Sequence, residues 1–323
     1  MKTTFIYKTI ALSVLLVGLS ELSAWAQEEM FKVLSLRGNV AVVKPNADKM
    51  LLATGRKLYK DENLEISDNS YISLMHRSGR TIEMKTPGVH PISELSSKFG
   101  TGTSSVSERY ANFVFGEATR EREKDMKKNH QQYMAVTGAV VRSAGKPSTN
   151  ASALQKELNA QSILPASSDV VANTTVFRWK KLPSAKSYNV VISDMFDQTL
   201  LQKEITDTVI SIDFVKLGLK NAKMCLLSLS AKNGADEVQA GKIGLRFVQG
   251  ENLSKMQKEI TQIKAETEGT AVGKVILGVY YEEHHLYLDA LNSYSEAVTA
   301  EPENADFRDA YNKFLTRIGL QDE

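Results

Sequence analysis

With a single cysteine, Cys225, the chain has no possibility of an internal disulfide. Cys225 is also far from the N-terminus, so it cannot serve as a lipidated first residue. Its place in an alternating apolar segment reads as a small buried side chain. An excess of charge of one sign is missing too, since 40 basic residues stand against 38 acidic ones. That balance leaves no electrostatic footprint for nucleic acid. The sequence contains no HExxH, GxSxG or P-loop pattern, so none of the common local signatures of hydrolysis or nucleotide binding is present. Long apolar runs are absent beyond the N-terminal stretch, and no later segment would span a bilayer.

The apolar run that does exist is short. Lys2 and Lys8 open the chain, Ile10 to Leu19 is apolar, and Ala24-Trp25-Ala26 precedes Gln27. About ten apolar residues fall short of the ~20 that a membrane-spanning helix needs. A basic start, a short apolar core and a small-x-small site match an export signal. Residues 1–26 are therefore expected to be a signal peptide cut between Ala26 and Gln27, with Ala24 and Ala26 in the peptidase pocket. The mature chain is expected in the periplasm or cell envelope, with no transmembrane segment.

Period-two patterning dominates residues 31–95. There Val40 and Val42 alternate after Gly38, Leu64 and Ile66 come after an Asp61-Glu62-Asn63 turn, and Ile72 and Leu74 flank Ser73. Ser78-Gly79 then turns the chain into Thr81-Ile82-Glu83-Met84, a hairpin signal. The set Gly38-x-Val40, Gly55-x-x-Leu58, Asp61, Ser70, Ile72, Leu74 and Gly79-x-x-Ile82 resembles the FecR-like domain of bacterial envelope proteins. The resemblance implies a small all-β domain. Signalling members carry a cytoplasmic anti-sigma segment and an inner-membrane helix, which this sequence lacks once the signal is removed.

Residues 104–145 change character and read as a helix-and-strand connector. Ser105 and Glu108 have capping-box spacing, and Val106, Tyr110, Phe113, Val114 and Ala118 share one helical face. The charged run Arg120 to Lys128 reads as a solvated helix face, and Tyr133 to Val141 as a strand interrupted by Gly138. Residues 146–162 read as a linker with a short helix around Leu154 to Leu158. Residues 163–248 return to alternation. Thr175 to Trp179, Tyr188 to Ile192, Thr208 to Phe214, Met224 to Ala231 and Ile243 to Phe247 are strand-like, which suggests a sandwich of about seven strands. Trp179 and Tyr188 sit where a fibronectin type III-like domain has core aromatics. That resemblance implies a spacer or binding module with no catalytic residues.

Residues 251–320 are expected to be helical. Leu253, Met256, Ile260 and Ile263 form one stripe. Then Leu277-Gly278-x-x-Tyr281, Ala290, Tyr294, Ala297 and Pro302 match the tetratricopeptide (TPR) pattern at its offsets, with Lys274 where tryptophan is usual. Small Gly278, Ala290 and Ala297 let two antiparallel helices approach, Tyr281 and Tyr294 fill the space beside them, and Pro302 stops the second helix. The helices before and after, the latter with Phe307 and Phe314, would cap the repeat. A repeat that contacts mainly its neighbours is expected to be a separable module, so that Ala290→Leu would loosen the C-terminal region alone. Glu282-Glu283-His284-His285 falls at the turn between the paired helices and reads as a solvated turn, because adjacent helical residues diverge and chelate poorly.

The fold class expected is multidomain α+β: a small N-terminal β-domain, a middle β-sandwich and a C-terminal TPR-like hairpin. The function expected is that of a non-catalytic exported scaffold, with no metal or cofactor, that binds an envelope protein through the TPR-like region. The alternative is an envelope sensor binding a small ligand or glycan through the FecR-like domain.

Overall fold

A computed structural model describes residues 28–44, 48–100, 106–115, 152–160, 164–219 and 221–320. The expected signal segment, the charged run 120–128 and the strand expected at 133–141 lie outside these residues. Within them the chain is α+β: N-terminal β-sheets, a middle pair of sandwich-like sheets and a C-terminal helical hairpin with flanking helices.

The N-terminal unit holds β1 (Glu29–Arg37), β2 (Val40–Val43), β3 (Met50–Leu51), β4 (Lys57–Tyr59), β5 (Asn63–Ile66), β6 (Tyr71–His76), β7 (Thr81–Met84) and β8 (Gly88–Pro91), followed by helix α1 (Ile92–Ser97). They form two four-stranded sheets, ordered β4-β1-β6-β7 and β3-β2-β5-β8. The inward residues Phe31, Val33, Val40, Val42, Leu58, Leu64, Ile66, Ile72 and Leu74 make one apolar core. The β6–β7 hairpin pairs Ile72 with Met84 and Leu74 with Ile82, as the alternation requires. Gly38 turns β1 into β2 at φ +79°, where a side chain would also strike Ser70.

The middle unit has seven strands among the described residues: β9 (Ser167–Val170), β10 (Thr174–Arg178), β11 (Ser187–Ser193), β12 (Thr199–Ile205), β13 (Val209–Asp213), β14 (Met224–Asn233) and β15 (Asp236–Phe247). One sheet runs β12-β11-β14-β15-β9, and β10 pairs with β13 in the second. Cys225, Leu227, Leu229 and Ala231 all face the core, in register with the alternation. Trp179 lies edge-on to Tyr188 with ring centroids 5.4 Å apart, both buried. The Tyr188 hydroxyl accepts the Leu182 amide at 2.8 Å. Burial pushes the Cys225 thiol up to about 12, so it stays a packed neutral side chain.

Two short helices, α2 (Val106–Phe115) and α3 (Ala153–Ala160), lie between the β-units in the chain. Leu154 and Leu158 of α3 join the sandwich core. The C-terminal part is α4 (Gly250–Thr267), α5 (Ala271–Glu283), α6 (Tyr287–Ala300) and α7 (Ala305–Arg317). Helices α5 and α6 form the hairpin, with α4 against α5 and α7 against α6.

The separable C-terminal module expected from sequence is not what the packing shows. Leu34, Tyr71 and Met75 of the N-terminal unit belong to the same apolar cluster as Tyr280, Tyr294, Phe307 and Phe314. Leu288 at the start of α6 belongs to the sandwich core. The helical unit is thus a shared wall for both β-units, so an overpacked hairpin is expected to disturb more than itself. The physical reason is visible in β6, where Ile72 and Leu74 face the β-core while Tyr71 and Met75 face the helices. A strand apolar on both faces has to be covered on both.

Candidate functional site

The hairpin is built from the residues that the sequence singles out. Gly278 lies against the Tyr294 ring, where an added Cβ would come within 3.0 Å of three ring atoms. Ala290 and Ala297 are fully buried, and Leu277 and Tyr281 are buried beside them. Tyr294 lies 5.0 Å, centroid to centroid, from Phe314 of α7. Its hydroxyl donates to Glu282 Oε2 at 3.2 Å. The Arg317 guanidinium grips that same carboxylate at 2.5 and 2.7 Å. A buried, charge-assisted fork of this kind fixes the register of α7 on α5. Pro302 follows Glu301, which ends α6 with its amide on the Ala297 carbonyl. Lys274, the departure from the motif, reaches Glu296 of α6 at 3.0 Å.

Two joints surround this hairpin. At the first, the N-terminal unit adds partners to the helices' own caps, Thr270 and Asn304. Glu83 of β7 accepts the Val272 amide at 2.8 Å in the first turn of α5, where backbone donors lack partners within the helix. The same carboxylate oxygen accepts the Tyr71 hydroxyl at 2.7 Å. Thr81 bonds the Thr267 carbonyl at 3.2 Å and meets the Thr270 hydroxyl at 2.9 Å. Asn304 caps α7 by accepting the Asp306 and Phe307 amides, and its amide nitrogen donates to Ser35 Oγ at 2.9 Å. Tyr71 also lies edge-on to Phe307 at 6.1 Å.

The second joint holds the sandwich by one side. Asp169 of β9 donates its amide to the His285 carbonyl at 2.8 Å, and Ser168 Oγ accepts the Leu288 amide at 3.2 Å. Asn292 of α6 donates to the Val176 carbonyl of β10 at 2.7 Å. Asp169 is itself gripped by Arg246 at 2.7 and 2.8 Å.

The acidic–histidine cluster lies at the helix turn, but it is not a solvated one. Glu282 points into the Arg317 fork. His284 is half-buried, its ring 4.4 Å from that of Tyr280 and its Nε2 3.2 Å from the Tyr110 hydroxyl of α2. His285 takes φ +60°, which turns its carbonyl to Asp169. Burial lowers the pKa of both rings; Glu283 and Glu259 oppose the shift at His284, and Asp169 opposes it at His285. Sequence reasoning missed this because both histidines are covered by segments remote in the chain. His76 is a third buried ring, stacked 4.9 Å from Phe99. Its Nδ1 accepts the Ser78 amide at 3.2 Å, so in the neutral ring Nε2 carries the proton. That nitrogen finds no hydrogen-bond partner among the described residues. Burial and Arg77 lower the pKa of His76. Asp289, in the first turn of α6, moves the other way: burial raises it to about 6 against the pull of Lys264.

Chemically the arrangement is one of attachment. Glu83, Asp169 and Glu282 are each committed to a backbone amide, a hydroxyl or a guanidinium that joins elements. Ala24, Ala26 and Gln27, the residues expected at the cleavage site, lie outside the described residues. Among the described residues no helix is long and apolar enough to cross a membrane.

No protein-family model and no curated protein matches the chain. Among solved structures it is similar to a Fn3-like protein from Clostridium thermocellum, at 23% identity and a TM-score of 0.21, over 28% of this chain and 91% of that one.

Proposed function

We propose that the chain is an exported, non-catalytic scaffold of the cell envelope that holds a partner protein through its C-terminal helices. In this reading the N-terminal unit is FecR-like, the sandwich is fibronectin type III-like and the hairpin is a TPR-like repeat. The observation that carries it is the shared wall: polar groups of both β-units are spent on capping and gripping the helices. Such joints hold two β-units in fixed orientation, which is what a scaffold needs. Two faces of the hairpin are occupied by these joints. The partner is left the outward faces of the flanking helices, such as Arg308, Asp309 and Lys313 of α7, which are exposed.

The test is affinity purification of the full chain from its native envelope, beside a variant carrying Arg308→Glu and Lys313→Glu. Loss of a co-purifying protein at unchanged thermal stability supports the reading. Equal recovery from both chains removes the helical docking face. Recovery of the chain from the cytosol with Met1 intact removes the export step.

A further inference from the structure

The joints hold the sandwich at β9 and β10, so the opposite edge points away from the helical wall. In the five-stranded sheet β12 is the edge strand farthest from β9. Its two ends carry two unusual features. At one end the β11–β12 turn exposes Met195 and Phe196, 60% and 92% accessible. The turn is preorganised. Asp194 Oδ1 accepts the Phe196 and Gln198 amides at 2.8 and 2.9 Å, the Asp194 amide donates to the Gln198 carbonyl at 3.0 Å, and Asp197 sits at φ +61°. An aromatic side chain held out by a rigid turn loses little entropy on docking.

At the other end lies a groove of about 600 Å³, where the chain crosses from β12 to β13. Ile205, Val209 and Ile210 give it apolar lining, and Lys203, Glu204 and Asp207 stand around it. This is within the ~300–1,000 Å³ of clefts that take a ligand. Glu204 is already matched by Lys232 and Ser187 at 2.5 and 2.6 Å, and Asp207 accepts the Thr208 amide at 2.6 Å. Lys203 has no ionic partner among the described residues, and neither does Asp197 on the turn. The groove therefore offers the Lys203 cation beside Asp207, whose charge meets only a backbone amide, and the turn offers an unmatched anion next to its aromatic.

Turn and groove are separated by the length of β12. At ~3.3 Å per residue that is about 20 Å, so a chain cannot seat its own turn in its own groove. We propose that the groove receives the Met195–Phe196 turn of a second copy, with Asp197 of one copy against Lys203 of the next. The surface lies on the sandwich, away from the helical face on which the scaffold reading depends. A contact between two different patches gives chains or rings when each pair makes it once, and a closed two-fold dimer when two copies lie antiparallel along β12 so that each turn enters the other's groove. The patch is small, which places it among weak, concentration-dependent contacts.

Sedimentation velocity of the full chain from about 10 µM to about 1 mM spans the Kd range of such contacts. The weight-average mass should rise above that of the monomer with concentration. Phe196→Asp should abolish the rise at unchanged circular dichroism and melting temperature. Asp197→Lys alone and Lys203→Glu alone should also remain monomeric, since each places like charges together. Mixing those two variants should restore the rise, because every contact then pairs Lys with Glu or Asp with Lys. A monomer across the whole range overturns the proposal, as does association indifferent to Phe196→Asp, or a mixture that fails to associate. A monomer that instead binds phosphatidylglycerol–phosphatidylethanolamine vesicles through Phe196 assigns the turn to a membrane surface and likewise overturns it.

Discussion

The two β-units meet the same helices in different ways. The N-terminal unit joins face-on: β1 and β6 are sandwiched between their own core and the helices, and all six residues of β6 are buried. The sandwich joins edge-on, through β9, β10 and a few apolar side chains, Leu288 in its core and Val171 and Val248 against the helices, and leaves β12 exposed over much of its length. A face-on joint is held by apolar area with polar caps added to it. An edge-on joint is held mostly by backbone and amide hydrogen bonds, which have a net worth of only about 0.5–1.5 kcal/mol each. The first should therefore unfold with the helices, while the second can be weakened without loss of either partner.

The largest break should come at the face-on joint. Tyr71→Ala removes an aromatic ring from the shared cluster and orphans a hydrogen bond to Glu83, and should cost about 3–5 kcal/mol. Chemical denaturation should then show the N-terminal unit and the helices losing structure together. Separate transitions would make the joint an ordinary surface contact. Next is Ala290→Leu, which overpacks the α5–α6 contact at about 1–3 kcal/mol. Limited proteolysis with mass spectrometry should reveal new cuts in residues 251–320 and also in the N-terminal unit. Cuts in the helices alone would restore the picture of a separable module.

A smaller effect should follow Asn292→Ala at the edge-on joint, about 1 kcal/mol from the loss of its bond to Val176. Hydrogen exchange should rise at β10 and leave β1 and β6 protected. Spread of the effect to β6 would erase the distinction between the joints.

His76, His284 and His285 all have folded pKa values below their ordinary ones, so the fold prefers the neutral rings. Their contribution is complete above about pH 6.5 and is lost as pH falls through the depressed values. Asp289 has the opposite sign, since its raised pKa favours the fold below its unfolded value and that benefit disappears as pH rises through about 6. Melting temperature should therefore fall on acidification, with a shallower acid limb in His284→Gln/His285→Gln. Asp289→Asn should raise stability at pH 8 by an amount on the order of 1 kcal/mol and do little at pH 4. An Asp289→Asn chain less stable at pH 8 would show that the carboxylate is held by a favourable partner.

Much of the fold was legible because it rests on local periodicity. Strands β5, β11, β13 and β14 follow their alternation, β6 is buried on both faces, and the hairpin follows the spacing of Gly278, Ala290, Tyr294 and Ala297. Strands β9 and β12 were not singled out. β9, Ser-Ser-Asp-Val, has almost no apolar pattern and is a strand because β15 and α6 flank it. β12 alternates poorly because most of its side chains face solvent.

What the sequence determined by itself was the inventory: three kinds of unit, their order and the small residues that let α5 and α6 approach. Period-two and period-3.6 patterns report burial within a unit, and they do so from near neighbours in the chain. How the units are joined depends on contacts between segments far apart in the chain. Glu83 became a helix cap, Tyr71 a bridge between cores, and His285 a backbone acceptor for Asp169, through pairings 189, 236 and 116 residues apart in the chain. Such roles leave no period in the sequence, because each depends on which surface another unit happens to cover.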